Sequence, residues 1–332
     1  MNPVPGMEKL DMQPPTIRIN ADKPHLWKSD IAASVDQFNR WFIRFAPQAF
    51  RSARSQTIPD VRTAMRATDN LRHVDAPSLR RCPAALATLR MCTAPPLAID
   101  RLAGLAGANR TLIGRLEAGQ LPVHMNTALL GKQLEGICRL LRKLIDHDIF
   151  PWLKAEASPT QAEHDRAATI VADRLCNALT NPIIRNAQER RQLAIIARFL
   201  NQRGYRQKRP PAKQPLALME AGTYAFRLNL LAGGSAKVKL PVDVVIQPIK
   251  LRENGLPILI ETKSAGDFAN TNKRRKEEAM KIHQLQAAYG QKVQFVLFLC
   301  GYFGSDYLGY EAAEGIDWVW EHRIGDLLKL GI

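Results

Sequence analysis

The chain has 332 residues, of which 46% are hydrophobic and 7% aromatic, which excludes a disordered chain and allows one large or two ordinary domains. No apolar stretch approaches the ~18–20 residues of a membrane-spanning helix, and residues 1–20 lack the apolar segment of a signal peptide, so we expect neither membrane insertion nor secretion. The five cysteines are scattered and form no Cys-x-x-Cys pair. This indicates a cytoplasmic protein without a disulfide framework or a zinc ribbon.

The charge is strongly basic and unevenly distributed. Forty-seven Lys and Arg against 31 Asp and Glu give a formal net charge of +16. Residues 1–212 contain 32 basic and 18 acidic residues, and 25 of those basic residues are arginine; residues 213–332 contain 15 basic and 13 acidic residues. Such a balance predicts a polyanionic partner, nucleic acid before a membrane surface, although a generic basic surface is the alternative.

Helical periodicity dominates the first two thirds of the chain. Residues 1–27 contain five prolines and read as an irregular arm. Apolar residues at helical spacing then predict six helices. Their ranges are 29–47, 59–70, 84–91, 126–149, 162–179 and 186–203. A proline-rich and basic segment over 204–214 reads as a linker or an exposed loop.

Beyond this linker the hydrophobic period changes to that of strands. Residues 222–231, 238–249 and 256–263 predict three short strands with glycine-containing turns between them. A charged helix over 272–289 follows and ends at Gly290, and the apolar run 293–300 is typical of a buried strand. The order helix, three strands, helix, strand predicts an α+β fold with a helical N-terminal region.

Two of these strands place acidic and basic side chains where they can act together. Asp243 lies among valines in the second strand, and an unpaired carboxylate there would be costly. Glu261 and Lys263 are two residues apart in the third strand, so their side chains face the same way. Two carboxylates with the backbone carbonyl of Thr262 could hold Mg²⁺, which would activate water, while Lys263 would orient that water or stabilise charge on a phosphate.

This D…E-x-K pattern in that order of elements resembles the PD-(D/E)XK nuclease superfamily. The resemblance implies a central mixed sheet flanked by helices, with metal-binding and catalytic roles for Asp243, Glu261 and Lys263. Many members add an acid from the helix before the first strand, and Glu189 is the candidate because it is the only acid of the predicted helix 186–203. An isolated E-x-K triplet would more often be a surface ion pair.

A closer resemblance covers more of the chain. The run Ile-Glu-Thr-Lys-Ser-Ala-Gly-Asp-Phe from residue 260, the segments 297–303 and 309–323, and the upstream segment 181–193 resemble XamI-type restriction endonucleases. The resemblance implies a type II enzyme of a prokaryotic cytoplasm that uses Mg²⁺, cuts both strands of double-stranded DNA at a short site and works as a homodimer. It also implies a cognate DNA methyltransferase as genetic partner, a DNA-binding region over 1–180 and a nuclease core over 181–332.

Two segments are candidates for contacting DNA. Basic residues in a first helical turn oppose the helix dipole, so a phosphate partner would explain those that open the helix 272–289. They are Lys273, Arg274, Arg275 and Lys276. The alternative is a solvated face balanced by Glu277 and Glu278.

The second candidate segment is 102–119, which resembles the helix-turn-helix of phage-repressor-like regulators. A turn at Gly107 would join two helices, and Arg110, Thr111 and Arg115 would project into a major groove. The alternative is an ordinary helical hairpin that packs on Leu129 and Leu134.

The sequence is also compatible with two other functions. A repair or recombination nuclease without sequence preference could carry the same metal site. A non-enzymatic DNA-binding regulator could use residues 98–122 and keep the α/β part for assembly only. The cleavage pattern of a plasmid separates the first from a restriction enzyme, and a Lys263 variant tests the second.

Overall fold

The computed structural model describes residues 18–155, 157–211, 214–232, 238–269, 271 and 275–332. The chain forms two compact units, one comprising residues up to Ile43 together with Asn186–Ile332, the other comprising Arg44–Arg185. The sequence grouped residues 1–180 together; in the structure the segment before Arg44 belongs to the same unit as the β-sheet. None of the described helices is long and apolar enough to span a membrane.

The first unit is built on a six-stranded mixed sheet whose strands follow one another in chain order. The pairs β2–β3 and β3–β4 are antiparallel, whereas the pairs β1–β2, β4–β5 and β5–β6 are parallel. The strand bounds are Arg206–Gln207 (β1), Thr223–Ala232 (β2), Val238–Gln247 (β3), Ile258–Ala265 (β4), Gln294–Gly301 (β5) and Asp317–Trp320 (β6). The four strands predicted from the sequence correspond to β2, β3, β4 and β5.

Both faces of this sheet are covered at its centre, where every residue of β5 is buried. One face packs against residues of the helix α9 (Arg275–Tyr289), including Ile282 and Leu285. The other face packs against the last turns of α8 (Gln161–Asn201), including Ile196 and Leu200. The predicted α+β class, with a mixed sheet flanked by helices, is therefore confirmed.

The edge of the sheet beyond β5 was not predicted. After β5 the chain forms α10 (Ser305–Ala313), the short strand β6 and a 3-10 helix, Glu321–Leu330. The carboxylate of Asp317 at the start of β6 accepts hydrogen bonds from the backbone N–H groups of Ile19, Asn20 and Ala21. This part of the predicted irregular arm is thus fixed to the sheet, while residues 1–17 lie outside the described part of the chain.

The parallel strands β4 and β5 end side by side at a glycine. Gly301 pairs with Ala265 in the parallel register and has a φ of +104°. A Cβ there would lie 2.1 Å from the carbonyl oxygen of Ala265. Only glycine permits this approach, and Gly301 sets the path of the chain where it leaves β5.

The second unit is helical. Its core gathers apolar residues of short helices with those of the longer α6, including Leu86, Ile113, Leu134 and Leu141. The helices within this unit are α2 (Ala76–Arg81), α3 (Ala85–Met91), α4 (Ile99–Ala106), α5 (Arg110–Glu117), α6 (Thr127–Leu144) and α7 (Trp152–Ala155). The boundaries between the two units fall inside α1 (Pro24–Ala67) and α8.

The helix ends predicted at prolines are wrong in both long helices. The sequence ended a helix at Pro47 and began another at Pro59, but α1 continues through both, and α8 continues through Pro182. A proline inside a helix removes one hydrogen bond and crowds the preceding turn. Residues on both sides of these prolines, such as Ala46 and Ala53, are buried, so packing outweighs the local preference.

Candidate active site

The side chain of Asp243 is held at the point where β3 and β4 stop pairing. The antiparallel pairing of the two strands ends at Val244 with Ile260, so Asp243 and Glu261 are at the next position. At this position the Asp243 side chain, instead of a backbone group of β3, binds β4. Its Oδ2 accepts a hydrogen bond from the backbone N–H of Thr262 at 2.9 Å and another from the Thr262 hydroxyl at 2.8 Å. Asp243 therefore lies against the backbone of the E-x-K segment.

A change in side-chain alternation explains how Asp243 reaches Thr262. Val242 and Val244 would share one face of a regular strand, yet they belong to the clusters on opposite faces of the sheet. In the neighbouring strand β2 the residue at the same level, Arg227, has a φ of +52°. The pleat is therefore interrupted at this level, and the Asp243 side chain is turned toward β4.

Glu261 and Lys263 share one face of β4, as predicted from their spacing. The Lys263 ammonium lies 3.4 Å from Glu261 Oε1. Glu261 Oε2 accepts a hydrogen bond from the ammonium group of Lys281 at 2.6 Å. Each oxygen of this carboxylate therefore has an ammonium group beside it, one from β4 and one from α9.

A second carboxylate on this face comes from α9. Glu278 Oε1 lies 2.9 Å from the Lys263 ammonium, and the Glu278 side chain is 1% exposed. Burial acts to lower the pKa of Lys263, but the negative charges of Glu261 and Glu278 outweigh burial and raise it. Lys263 is therefore held in its charged form.

Glu278 corrects one alternative interpretation of the sequence. Glu277 and Glu278 were candidates for a solvated face that balances the basic residues before them. Glu277 is exposed, but Glu278 points into the site. Glu278 is fifteen residues from Lys263 in the sequence, and this separation does not predict a contact between them. Only the packing of α9 on the sheet brings the two side chains together.

A third glutamate lies behind Glu278. Glu311 of α10 is fully buried, and no basic group forms an ion pair with it among the described residues. Burial, together with the negative charge of Glu278, raises the pKa of Glu311 to about 8. Glu311 therefore holds a proton at neutral pH.

Two hollows open on either side of Lys263 and Glu278. One has a volume of about 250 Å³ and is lined by the end of β4, including Ser264 and Gly266, and by Tyr307. The other has a volume of about 320 Å³ and is lined by Glu261 and Lys281 as well. The polar cluster is thus accessible to small solutes from both sides.

The donor set suits a hard cation with few protein ligands. The described residues contain no group of three or more His, Cys, Asp or Glu side chains arranged to hold a metal ion. Asp243 and Glu261 supply two carboxylates, and the carbonyl of Thr262 is the third ligand predicted from the sequence. Mg²⁺ commonly takes one or two carboxylates and completes its octahedron with water and substrate phosphate oxygens, so the residues present fit this ion.

Glu189 lies on α8 and binds a different partner. Its Oε1 accepts two hydrogen bonds from Arg227, at 3.0 Å from Nε and 2.8 Å from Nη2. Arg227 lies between Phe226 and Leu228 of β2, which pair with the two neighbours of Asp243 in β3. The catalytic role of Glu189 remains a prediction.

The basic segment before α9 is described only in part. Lys273 and Arg274 lie outside the described residues. Arg275 begins α9, its side chain also lies outside the description, and Lys276 is exposed. Contacts of this segment with phosphates remain a prediction.

The segment 102–119 forms two helices joined by a turn, as predicted. Gly107 ends α4 in the left-handed conformation, and Asn109 caps α5 through a 2.7 Å hydrogen bond from the N–H of Thr111. Leu112, Ile113 and Leu116 are buried. Arg110, Thr111 and Arg115 are all exposed, and Arg110 forms a surface ion pair with Asp100.

The alternative of a packed hairpin is also partly realised. Leu134 of α6 is fully buried in the core of this unit, but Leu129 is 48% exposed. A Cβ on Gly136 would lie 2.7 Å from the carbonyl oxygen of Ala106, so α4 lies close to α6. The pair of helices therefore packs on one side and presents its basic side chains on the other.

Comparison with known proteins gives two clear matches. The family model of the XamI restriction endonuclease matches residues 69–320. The type II restriction enzyme SalI from Streptomyces albus G is 51% identical over 313 residues, which cover 94% of this chain and 99% of that enzyme. These matches span both units.

Among solved structures, protein VC1899 from Vibrio cholerae is 12% identical and is matched over 77% of this chain and 57% of that chain. The TM-score is 0.28, which is too low to carry an argument about fold.

Proposed function

The chain belongs to the XamI restriction endonuclease family, and from this premise we propose that it cleaves DNA at a Mg²⁺ site formed by Asp243, Glu261 and Lys263. Type II restriction enzymes are site-specific deoxyribonucleases that generally use divalent metal ions. The predicted activity, a type II restriction endonuclease acting on DNA within a restriction-modification system, is confirmed by the family and by the similarity to SalI. The ion and the residues are our proposal.

One observation carries the assignment of residues. The Asp243 carboxylate binds the N–H of Thr262, the residue between Glu261 and Lys263, and so joins the two strands that supply the acidic residues. Asp243, Glu261 and the Thr262 carbonyl would hold Mg²⁺. When bound there, the ion would lower the pKa of a water ligand and offset negative charge on the phosphate.

The side chains around the ion have separate tasks. Thr262 donates to Oδ2 of Asp243 and fixes the orientation of that carboxylate. Lys263 is charged and positioned between two carboxylates, so its ammonium can donate a hydrogen bond to the attacking water or to a phosphate oxygen as charge develops there. We propose an in-line attack of water on the phosphodiester that leaves a 5′-phosphate and a 3′-hydroxyl.

The basic residues of the helical unit support DNA binding beyond the site. Arg110, Thr111 and Arg115 are exposed on one side of α5, and arginine side chains there could contact phosphates or base edges. Lys276, with the neighbouring Lys273, Arg274 and Arg275, would contact the backbone near the cleaved bond.

Further partners follow from the kind of enzyme. We propose a homodimer, because two copies related by a two-fold axis can address both strands of a symmetric site. Host DNA must be protected from such an enzyme, so a cognate methyltransferase is the expected genetic partner. From the kind of enzyme we propose a prokaryotic cytoplasm as its location, and the five free cysteines are compatible with a reducing compartment.

A plasmid digest tests the proposal. Purified protein with Mg²⁺ is expected to give discrete fragments whose sequenced ends share one short site and carry 5′-phosphates. EDTA should stop the reaction, and added Mg²⁺ should restore it. A smear of fragments would instead favour a nuclease without sequence preference, and cleavage that persists in EDTA would remove the metal from the mechanism.

A further inference from the structure

Lys281 forms an ion pair with Glu261, one of the two carboxylates that are proposed to bind the metal ion. Its ammonium nitrogen lies 2.6 Å from Oε2 of Glu261, and both side chains are 13% exposed. The other oxygen of Glu261 lies 3.4 Å from Lys263. Glu261 is therefore neutralised on both oxygens before any metal binds.

The cluster is balanced in charge. Glu261 and Glu278 contribute two negative charges, and Lys263 and Lys281 contribute two positive charges within contact distance. A buried carboxylate without such partners would be strongly destabilising. The balance of charge offsets the cost of burying these acidic residues.

A divalent cation and an ammonium group compete for the same position. Inner-sphere coordination requires Oε2 or Oε1 to approach the ion at about 2.0–2.6 Å, and Lys281 cannot stay at hydrogen-bond distance on that side of the same oxygen. The positive charge of Lys281 also repels the ion. Lys281 therefore opposes metal binding unless it moves.

We propose that Lys281 is the counter-ion of Glu261 in the metal-free enzyme, that metal binding displaces it, and that it thereby sets the affinity of the site for divalent cations. This inference rests on the proposed function, because it takes Glu261 to be a metal ligand. Lys281 acts through Glu261 and is a positioning residue in this sense.

The structure provides room for the displaced side chain. Lys281 lines the hollow of about 320 Å³ together with Glu261 and Gln284. Its neighbour on the helix, Met280, also lines this hollow and is largely exposed. A lysine has a flexible four-carbon stem, so its ammonium can turn into this hollow toward solvent without a change in α9.

The test measures metal binding in the absence of DNA. Mn²⁺ is titrated into the full-length protein, and free Mn²⁺ is followed by electron paramagnetic resonance. Lys281→Met is expected to bind Mn²⁺ at least ~10-fold tighter than the unsubstituted protein, because a charge-assisted hydrogen bond of typical strength no longer competes. Lys281→Arg keeps the charge and should bind no tighter, and Lys292→Met, at an exposed lysine, controls for the loss of one positive charge.

A second measurement applies even if Lys281→Met is less stable than the unsubstituted protein. The rise in melting temperature caused by saturating Mn²⁺ should be larger in Lys281→Met than in the unsubstituted protein, whatever their starting values. Equal or weaker Mn²⁺ binding by Lys281→Met overturns the inference.

Glu261→Gln separates this inference from the proposed function. If Glu261→Gln loses Mn²⁺ binding while Lys281→Met binds no tighter, Glu261 remains a ligand and only the role of Lys281 is wrong. If Glu261→Gln binds Mn²⁺ as well as the unsubstituted protein does, the proposed metal site fails and the inference fails with it.

Discussion

Lys263 has a structural role in two ion pairs and a proposed catalytic role, and a single substitution would affect both. Its ammonium contacts Glu261 and Glu278, and Glu278 has no other ion-pair partner among the described residues. Removal of Lys263 would therefore leave a buried carboxylate uncompensated, as well as remove a group from the reaction. For a variant at this position, both the unfolding free energy and the rate of DNA cleavage must be measured.

We predict that Lys263→Ala cleaves DNA at least ~10³-fold slower in single-turnover experiments, because it loses a group that stabilises charge in the transition state. It should also lose about 3 kcal/mol of unfolding free energy in urea, because Glu278 is left buried and unpaired. Lys263→Ala with Glu278→Gln should regain most of that stability but not the cleavage. Binding of cognate DNA in Ca²⁺ is expected to remain, and unchanged cleavage would exclude Lys263 from the mechanism.

Glu311 gives a prediction about pH. Its pKa is raised from 4.5 to about 8, so the folded protein keeps a proton that the unfolded chain releases, and stability falls as pH rises from about 4.5 to about 8. Glu311→Gln removes this titration without a large change in volume. The variant should be more stable than the unsubstituted protein at pH 9, by about 1–3 kcal/mol, with a smaller difference at pH 5.5.

Urea denaturation at several pH values measures this difference. Curves of stability against pH that run parallel for the two proteins would show that Glu311 does not titrate as the structure implies.

At the scale of elements, the site depends on α9 as much as on the strands. The strands β3 and β4 supply Asp243, Glu261 and Lys263, and α9 supplies Glu278 and Lys281 three residues apart, which places them on one side of the helix. Beside these side chains, α9 packs on the sheet through apolar residues that include Ile282 and Leu285. The polar cluster is therefore fixed by the apolar contacts around it.

The helix α5 is the element through which DNA binding can be tested without changing the site. Arg110→Ala with Arg115→Ala should weaken DNA binding about 10-fold or more and reduce its salt dependence, since both side chains are exposed and are proposed to contact DNA. The fold should be unaffected, because the Arg110–Asp100 ion pair is at the surface and contributes little.

Arg139→Ala is the matched control for this pair, since Arg139 is an exposed arginine on the neighbouring helix α6. Fluorescence anisotropy with a labelled duplex over a range of salt concentrations gives the measurement. Equal losses of affinity for the α5 variant and for Arg139→Ala would indicate a general effect of charge.

For the whole molecule, the charge has a clear imbalance. Residues 1–212 carry 32 basic and 18 acidic residues, whereas the remainder is nearly balanced. Basic charge attracts DNA at long range and raises association rates at low salt. The residues of the proposed metal site therefore lie in the part of the sequence with little net charge.

Sedimentation velocity tests the assembly. We predict a homodimer of about 74 kDa, twice the 37.1 kDa of one chain. A duplex that carries one cognate site should bind one dimer. A particle of 37 kDa with and without this duplex would contradict the proposed two-fold arrangement.

The sequence by itself determined the class of fold and the family. Alternating residues in the first two segments, glycine-containing turns and the apolar run 293–300 identified the central strands, and the two-residue spacing of Glu261 and Lys263 placed them on one face, because the geometry of a strand is local. Composition indicated a nucleic-acid partner, because net charge does not depend on the fold. The resemblance of the same segments to XamI-type enzymes identified the family.

Only the tertiary structure decided which other side chains join this site. Glu278 and Lys281 meet Glu261 and Lys263 because α9 packs on β4, and no sequence spacing encodes that contact. In the same way Glu189, chosen as the only acid of its predicted helix, binds Arg227. The long helices continue through their prolines for a related reason. Local rules describe neighbours along the chain, whereas burial and ion pairing are settled between segments that are far apart in sequence.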